Sequence, residues 1–204
     1  MSDMTSFPRM QRAAELTASS FDENANTIDV IFTAGATVRR MSWMDGPFDE
    51  ELIVNKNAVR LGRLNAGAPF LNTHNDWDLS DVIGSVTPGS ARIDAGKGYA
   101  TIQLTRRPDA AGVVQDIRDG VIRNISVGYA IHTVEKTERD GQVPLHRVID
   151  WEPMEISAVP VPADPGAQVR SAEKGERFPC RFIITGTAAA LRSRMIMERK
   201  RRIA

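Results

Sequence analysis

The segment Asn124-Ile125-Ser126-Val127-Gly128-Tyr129-Ala130-Ile131-His132 alternates in residue type. Read as a strand, it points Ile125, Val127, Tyr129 and Ile131 to one face and Ser126, Gly128, Ala130 and His132 to the other. The second face is small. It leaves room for another chain or a substrate, and Gly128 permits close backbone approach. Ser126 is therefore a candidate nucleophile, although a serine on a strand is also an ordinary solvent-facing residue. Its setting is not the Gly-x-Ser-x-Gly elbow of α/β-hydrolases, because Asn124 stands two residues before it.

A serine nucleophile needs a base, and the chain has 3 histidines. His74 follows Leu71-Asn72-Thr73 at the end of an extended segment, where a loop can present an imidazole. His132 shares a face with Ser126 but lies six residues along, roughly 20 Å away in an extended strand, so it cannot serve Ser126. His146 precedes the last strand and has no distinguishing context. A third group must orient the base. In Trp151-Glu152-Pro153-Met154-Glu155-Ile156-Ser157-Ala158-Val159, alternation sends Met154, Ile156 and Ala158 one way and Glu155 and Ser157 the other. A carboxylate in such a strand either faces water or has a partner, since burying it alone is costly. Glu155 is the candidate, with Glu152 as the neighbouring alternative. Three scattered histidines and the single Cys180 have no metal-ligand spacing, which argues against a zinc site.

The elements that must position these residues are mostly short strands. Thr27–Thr33 is β-rich and ends at Ala34-Gly35. Phe48–Val54, Asp81–Thr87, Ala91–Asp94 and Gly98–Thr105 are further strands, divided by Pro88-Gly89 and Ala95-Gly96-Lys97-Gly98 turns. Asn57–Asn65 reads as a short helix capped by Asn55 or Asn57. Pro108–Arg118 is the clearest helix, with Val113, Val114 and Ile117 as its apolar stripe and Gly120 as its stop. Ile125–Glu135 and Leu145–Val159 are long strands about an Asp140-Gly141 turn, the second interrupted at Pro153. Pro160–Gly166 is a stiff loop. The sum is a mixed α+β fold, mainly antiparallel, with helices on its flanks.

The chain is 204 residues long with 26 Lys+Arg, 26 Asp+Glu and no net charge. That length fits one domain able to bury about 70% of its unfolded surface. One cysteine excludes an internal disulfide framework and suits a reducing compartment. Residues 1–20 hold no apolar signal core, and no apolar run reaches the ~18 residues of a membrane span. The balance of charge argues against nucleic acid overall, yet it is uneven. Residues 176–204 carry eight basic and two acidic residues, or +6. Three regions are expected: a flexible segment over 1–26, a catalytic domain over 27–170, and a linker with a basic helical tail over 171–204. Ala188–Arg202 is the candidate tail helix.

Three blocks occur in order: Leu71-Asn72-Thr73-His74-Asn75, then Asp119-Gly120-Val121-Ile122-Arg123-Asn124-Ile125-Ser126-Val127-Gly128-Tyr129, then Met154-Glu155-Ile156-Ser157-Ala158-Val159 running on through Pro160 to Ala167. From about Thr27 to Val169 the chain resembles the prohead maturation serine proteases of tailed bacteriophages and their prophage relatives. That family is related in fold to the herpesvirus assemblins, so the resemblance implies an assemblin-like, β-barrel-like core surrounded by helices. It implies Ser126 as nucleophile, His74 as base and Glu155 as third member, with no cofactor. It further implies an endopeptidase that cleaves scaffolding segments from the major capsid protein, and cuts itself, inside the procapsid in the bacterial host cytoplasm. Implied partners are the major capsid protein with its scaffolding segment, the portal protein as an additional candidate, and further copies of the chain as an oligomer. Neither a membrane nor nucleic acid is among them. The alternative is a non-catalytic capsid-assembly or scaffold-binding protein of the same fold. An oxyanion hole is required, with backbone N–H groups near Ser126 or in Pro160–Gly166 as candidates.

Overall fold

The computed structural model describes residues 2–16, 20–42, 46–160 and 177–185. Among them are twelve strands: β1 (Ser2–Pro8), β2 (Met10–Leu16), β3 (Thr27–Thr33), β4 (Val38–Ser42), β5 (Gly46–Leu52), β6 (Pro69–Asn72), β7 (Val82–Val86), β8 (Arg92–Asp94), β9 (Lys97–Leu104), β10 (Asn124–Thr137), β11 (Leu145–Ala158) and β12 (Arg177–Thr185). Two helices are short: α1 (Gly62–Asn65), which packs on β11, and α2 (Ala111–Arg118), entered through a 3₁₀ turn at Pro108–Ala110.

Period-two alternation builds the core. In β3, Ile28, Val30 and Phe32 are buried, and β9 answers with Ala100, Ile102 and Leu104 across an antiparallel ladder. Gly98 is required there, because a Cβ would collide with the Phe32 ring. Val114 and Ile117 bury the apolar stripe of α2, and Gly120, at φ 71°, ends it.

All strands join one sheet in the order β1-β12-β10-β2-β3-β9-β7-β6-β11-β5-β4, with β8 on β9. Pairing is antiparallel except for β10–β12, β11–β5 and β11–β6. The sheet as a whole is open, ending in β1 and β4, and is not one closed barrel, where the resemblance implied a β-barrel-like core. Within it β10 also pairs with β11, which ties the middle of the path back on itself. These two strands, of 14 residues each, form the spine of the molecule.

Several expectations are corrected. The segment over 1–26, expected to be flexible, contributes β1 and β2. The reason is long-range: β2 pairs with β10 from Asn124↔Glu15 to Tyr129↔Met10, and Arg12 finds its counter-charge on β5. The linker and tail expected over 171–204 include β12, which pairs with β1 on one edge and β10 on the other and buries Cys180. The stiff loop beyond Pro160 and the tail helix over 188–202 lie outside the described residues. The helix expected over 57–65 shrinks to α1, because the Asn55 side chain accepts from the N–H groups of Asn57 and Ala58 and closes a turn instead. Ala58 and Arg60 then bond the backbone of Trp151. β11 runs through Pro153 without a break. A register shift between Gly128 and Tyr129 absorbs the proline at a bulge.

Candidate functional site

Ser126 stands on β10 directly opposite Ser157 of β11, and Gly128 stands opposite Glu155. The four residues therefore share one face of the β10–β11 ladder. That face is covered rather than open: Ser126 is 1% exposed, Ser157 0% and Glu155 2%. Gly128 makes the arrangement possible, since a Cβ there would collide with the Glu155 carboxylate oxygen Oε1.

His74 reaches this face from the turn that follows β6. β6 lies parallel to β11, with Ser157↔Leu71 and Ala158↔Asn72 in register. Thr73 and His74 then both take positive φ, 53° and 61°. Two consecutive non-glycine residues in the left-handed region are strained, most of all a β-branched threonine. The turn is held by Thr73 N–H donating to Ala158 O at 2.9 Å and Asn75 N–H to Asn72 O at 3.1 Å. The Asn75 amide also donates to the Asp81 carboxylate. Beyond it, the Arg9 guanidinium pairs with Asp76 at 2.9 Å.

The strained turn brings His74 Nδ1 to 2.7 Å from Glu155 Oε1. The second carboxylate oxygen, Oε2, accepts from Ser157 Oγ at 2.5 Å. A carboxylate only accepts, so this bond places the ring proton on Nδ1 and leaves Nε2 with its lone pair. Gly128 lies two residues from Ser126, about 6.6 Å along an extended strand. The His74–Glu155 pair is thus anchored one step along the face from the Ser126 hydroxyl. That hydroxyl donates to the Arg12 carbonyl at 3.1 Å, across the β10–β2 ladder.

The other sequence candidates go elsewhere. His132 bonds Glu152 at 3.3 Å, and Arg63 stands 4.0 Å from the same carboxylate. Glu152, opposite Ala130 in register, is thereby removed from the His74 pairing. His146 is buried, stacked on Phe48 at 4.1 Å between ring centroids. Strand alternation alone assigns Ser157 no role, although it lies two residues after Glu155 on the same face of the strand. Nothing local marks Gly128 as the space for Glu155 or the Arg9–Asp76 bridge. Among the described residues no three His, Cys, Asp or Glu side chains group to hold a metal ion, and no helix is long and apolar enough to cross a membrane.

A sequence model of the caudovirus prohead serine proteases matches residues 21–179. The chain belongs to that family. It is 32% identical over 116 residues to the major capsid protein of Halomonas phage phiHAP-1, a match covering 57% of this chain and 19% of that protein. The chain thus spans about a fifth of the curated relative it matches. Its similarity to the bacteriophage T4 capsid assembly protease gp21 covers 78% of this chain and 98% of that one, with a TM-score of 0.43 and 10% identity.

Proposed function

We propose that this family member is a serine endopeptidase of capsid maturation in which Ser126 is the nucleophile, His74 the general base and Glu155 the group that orients it. The observation that carries the reading is the 2.7 Å bond between His74 Nδ1 and Glu155 on the face that bears Ser126. With Nδ1 protonated, Nε2 is free to accept the Ser126 proton as Oγ attacks a peptide carbonyl. The imidazolium so formed is stabilised by Glu155 and returns its proton to the leaving amine. The Ser126 hydroxyl must first turn from the Arg12 carbonyl toward the imidazole. The substrate in this reading is the scaffolding segment of a major capsid protein, together with the chain itself, inside the procapsid in the host cytoplasm. The capsid-protein name of the phiHAP-1 relative supports that substrate class. The portal protein and further copies of the chain remain the other proposed partners.

A second reading, a capsid-binding module without catalysis, is favoured by one observation. Ser126 is 1% exposed and its hydroxyl is engaged by Arg12 O. Fluorophosphonate labelling separates the two. The protease reading expects stoichiometric labelling at Ser126 and none in Ser126→Ala; an unlabelled wild-type chain, coupled with capsid protein left uncut on co-expression, supports the binding module.

A further inference from the structure

We infer that Ser157 is a positioning residue of the same site: its hydroxyl clamps Glu155 Oε2 so that Oε1 is presented to His74 Nδ1. The inference rests on the reading of His74 and Glu155 above and adds a fourth member that acts through the third.

A glutamate carboxylate turns readily about its terminal bond, because that torsion has broad wells. A single hydrogen bond to His74 fixes one oxygen and leaves the plane free. A second bond on the other oxygen fixes the plane. Ser157 supplies it at 2.5 Å from a side chain that is 0% exposed, so water does not compete for either group.

The backbone makes the clamp rigid. Residues two apart on a strand share a face, so Ser157 and Glu155 are aligned by the pleat of β11 alone. Ser157 is also the cross-strand partner of Ser126. Its neighbour Ala158 accepts the Thr73 N–H that holds the strained His74 turn. One short stretch of β11 therefore registers the nucleophile, the carboxylate and the base together. Ser157 touches none of the reacting atoms. Its work is to keep the imidazole in one tautomer.

Histidine ¹⁵N spectra of the full chain read that tautomer directly, and three histidines are few enough to assign by substitution. The inference expects His74 of the wild type in the Nδ1–H form. It expects Ser157→Ala to give a tautomer mixture at His74, with His132 and His146 unchanged, and fluorophosphonate labelling of Ser126 slowed ~10-fold, in line with loss of a hydrogen bond to a charged group. Ser157→Thr, which keeps the hydroxyl, should restore both readouts. A wild-type His74 in the Nε2–H form overturns the inference without any variant. So does Ser157→Ala with an unchanged tautomer and labelling rate, or Ser157→Thr behaving as Ser157→Ala does. The underlying reading fails separately: labelling that persists in Ser126→Ala removes the nucleophile, whatever the tautomer shows. Labelling found on Ser157 itself overturns both.

Discussion

Two buried carboxylates sit on opposite faces of β10, and they are treated differently. Glu50, 1% exposed, is surrounded by permanent cations. Its Oε1 takes Arg12 at 2.8 Å, Arg40 at 3.2 Å and the Tyr129 hydroxyl at 2.6 Å. Arg40 in turn donates to Tyr129 at 2.9 Å and to Gln11 O at 2.8 Å. Glu155, 2% exposed, has one imidazole and one hydroxyl. The first set pins β2, β4, β5 and β10 together and gives the carboxylate nothing to exchange. The second sets it against an imidazole held by a strained turn and against a hydroxyl. Burial is common to both acids; the partners differ.

The largest effects are expected at Ser126 and His74. Ser126→Ala and His74→Ala are each expected to lower the labelling or cleavage rate by roughly 10⁴-fold or more, and the double variant should be no worse than either. Additive losses in single-turnover assays would mean that the two residues do not share a step. Next come the carboxylates themselves. Glu155→Gln should cost roughly 10²–10⁴ in rate with a modest loss of stability. Glu50→Gln should cost about 3–5 kcal/mol of stability, because it strands buried guanidinium charge. Urea unfolding beside rate measurements tests the pair, and a Glu50→Gln chain as stable as wild type would erase the contrast.

Gly128→Ala should act between the two. Its Cβ collides with Glu155 Oε1, so the carboxylate must move off His74. The expected result is a rate loss approaching that of Glu155→Gln, with a stability loss of about 1–3 kcal/mol from overpacking. A Gly128→Ala chain with full activity would show that Glu155 need not lie where it does.

The smallest effect is on pH. Burial alone would raise the Glu50 carboxyl, but the Arg40 and Arg12 guanidiniums and the Tyr129 hydroxyl outweigh it and hold it below the ordinary 4.5. A carboxyl depressed in the folded state adds stability that is fully present above its unfolded value and is lost as pH falls through the folded one. The urea midpoint should thus hold steady from pH 7 to 5 and decline below about 4.5. The decline should be shallower in Glu50→Gln, and parallel curves would deny Glu50 this role.

Much of this was legible in the sequence. The β-rich run Thr27–Thr33 and the alternation of residue type from Ile125 to Ile131 mark β3 and β10, but in β10 the small-residue face is buried as well, which the alternation does not announce. Ser126, His74 and Glu155 were singled out by residue type, and the fold brings the last two into contact. What was hidden depends on distant partners. β2 carries a buried arginine whose acid lies 38 residues away. The resemblance already favours Glu155 over Glu152; that Glu155 stands opposite Gly128 follows from the β10–β11 register, which includes a shift that alternation does not announce. The left-handed turn at Thr73 and His74 goes against the preference of a β-branched threonine, so its tertiary ties are what hold it.

β12 has a consequence for the fate of a clipped chain. It is laddered to β1 over seven residue pairs, from Ser2↔Ile183 to Pro8↔Arg177, and to β10 over five. Its polypeptide link to β11 passes through residues 161–176. A single cut within that stretch severs the covalent connection and leaves both ladders intact. Such a molecule would separate into two fragments under denaturing conditions yet migrate as one body in a native gel. Cleavage and release are then distinct events: a cut made there would leave β12 still laddered to β1 and β10.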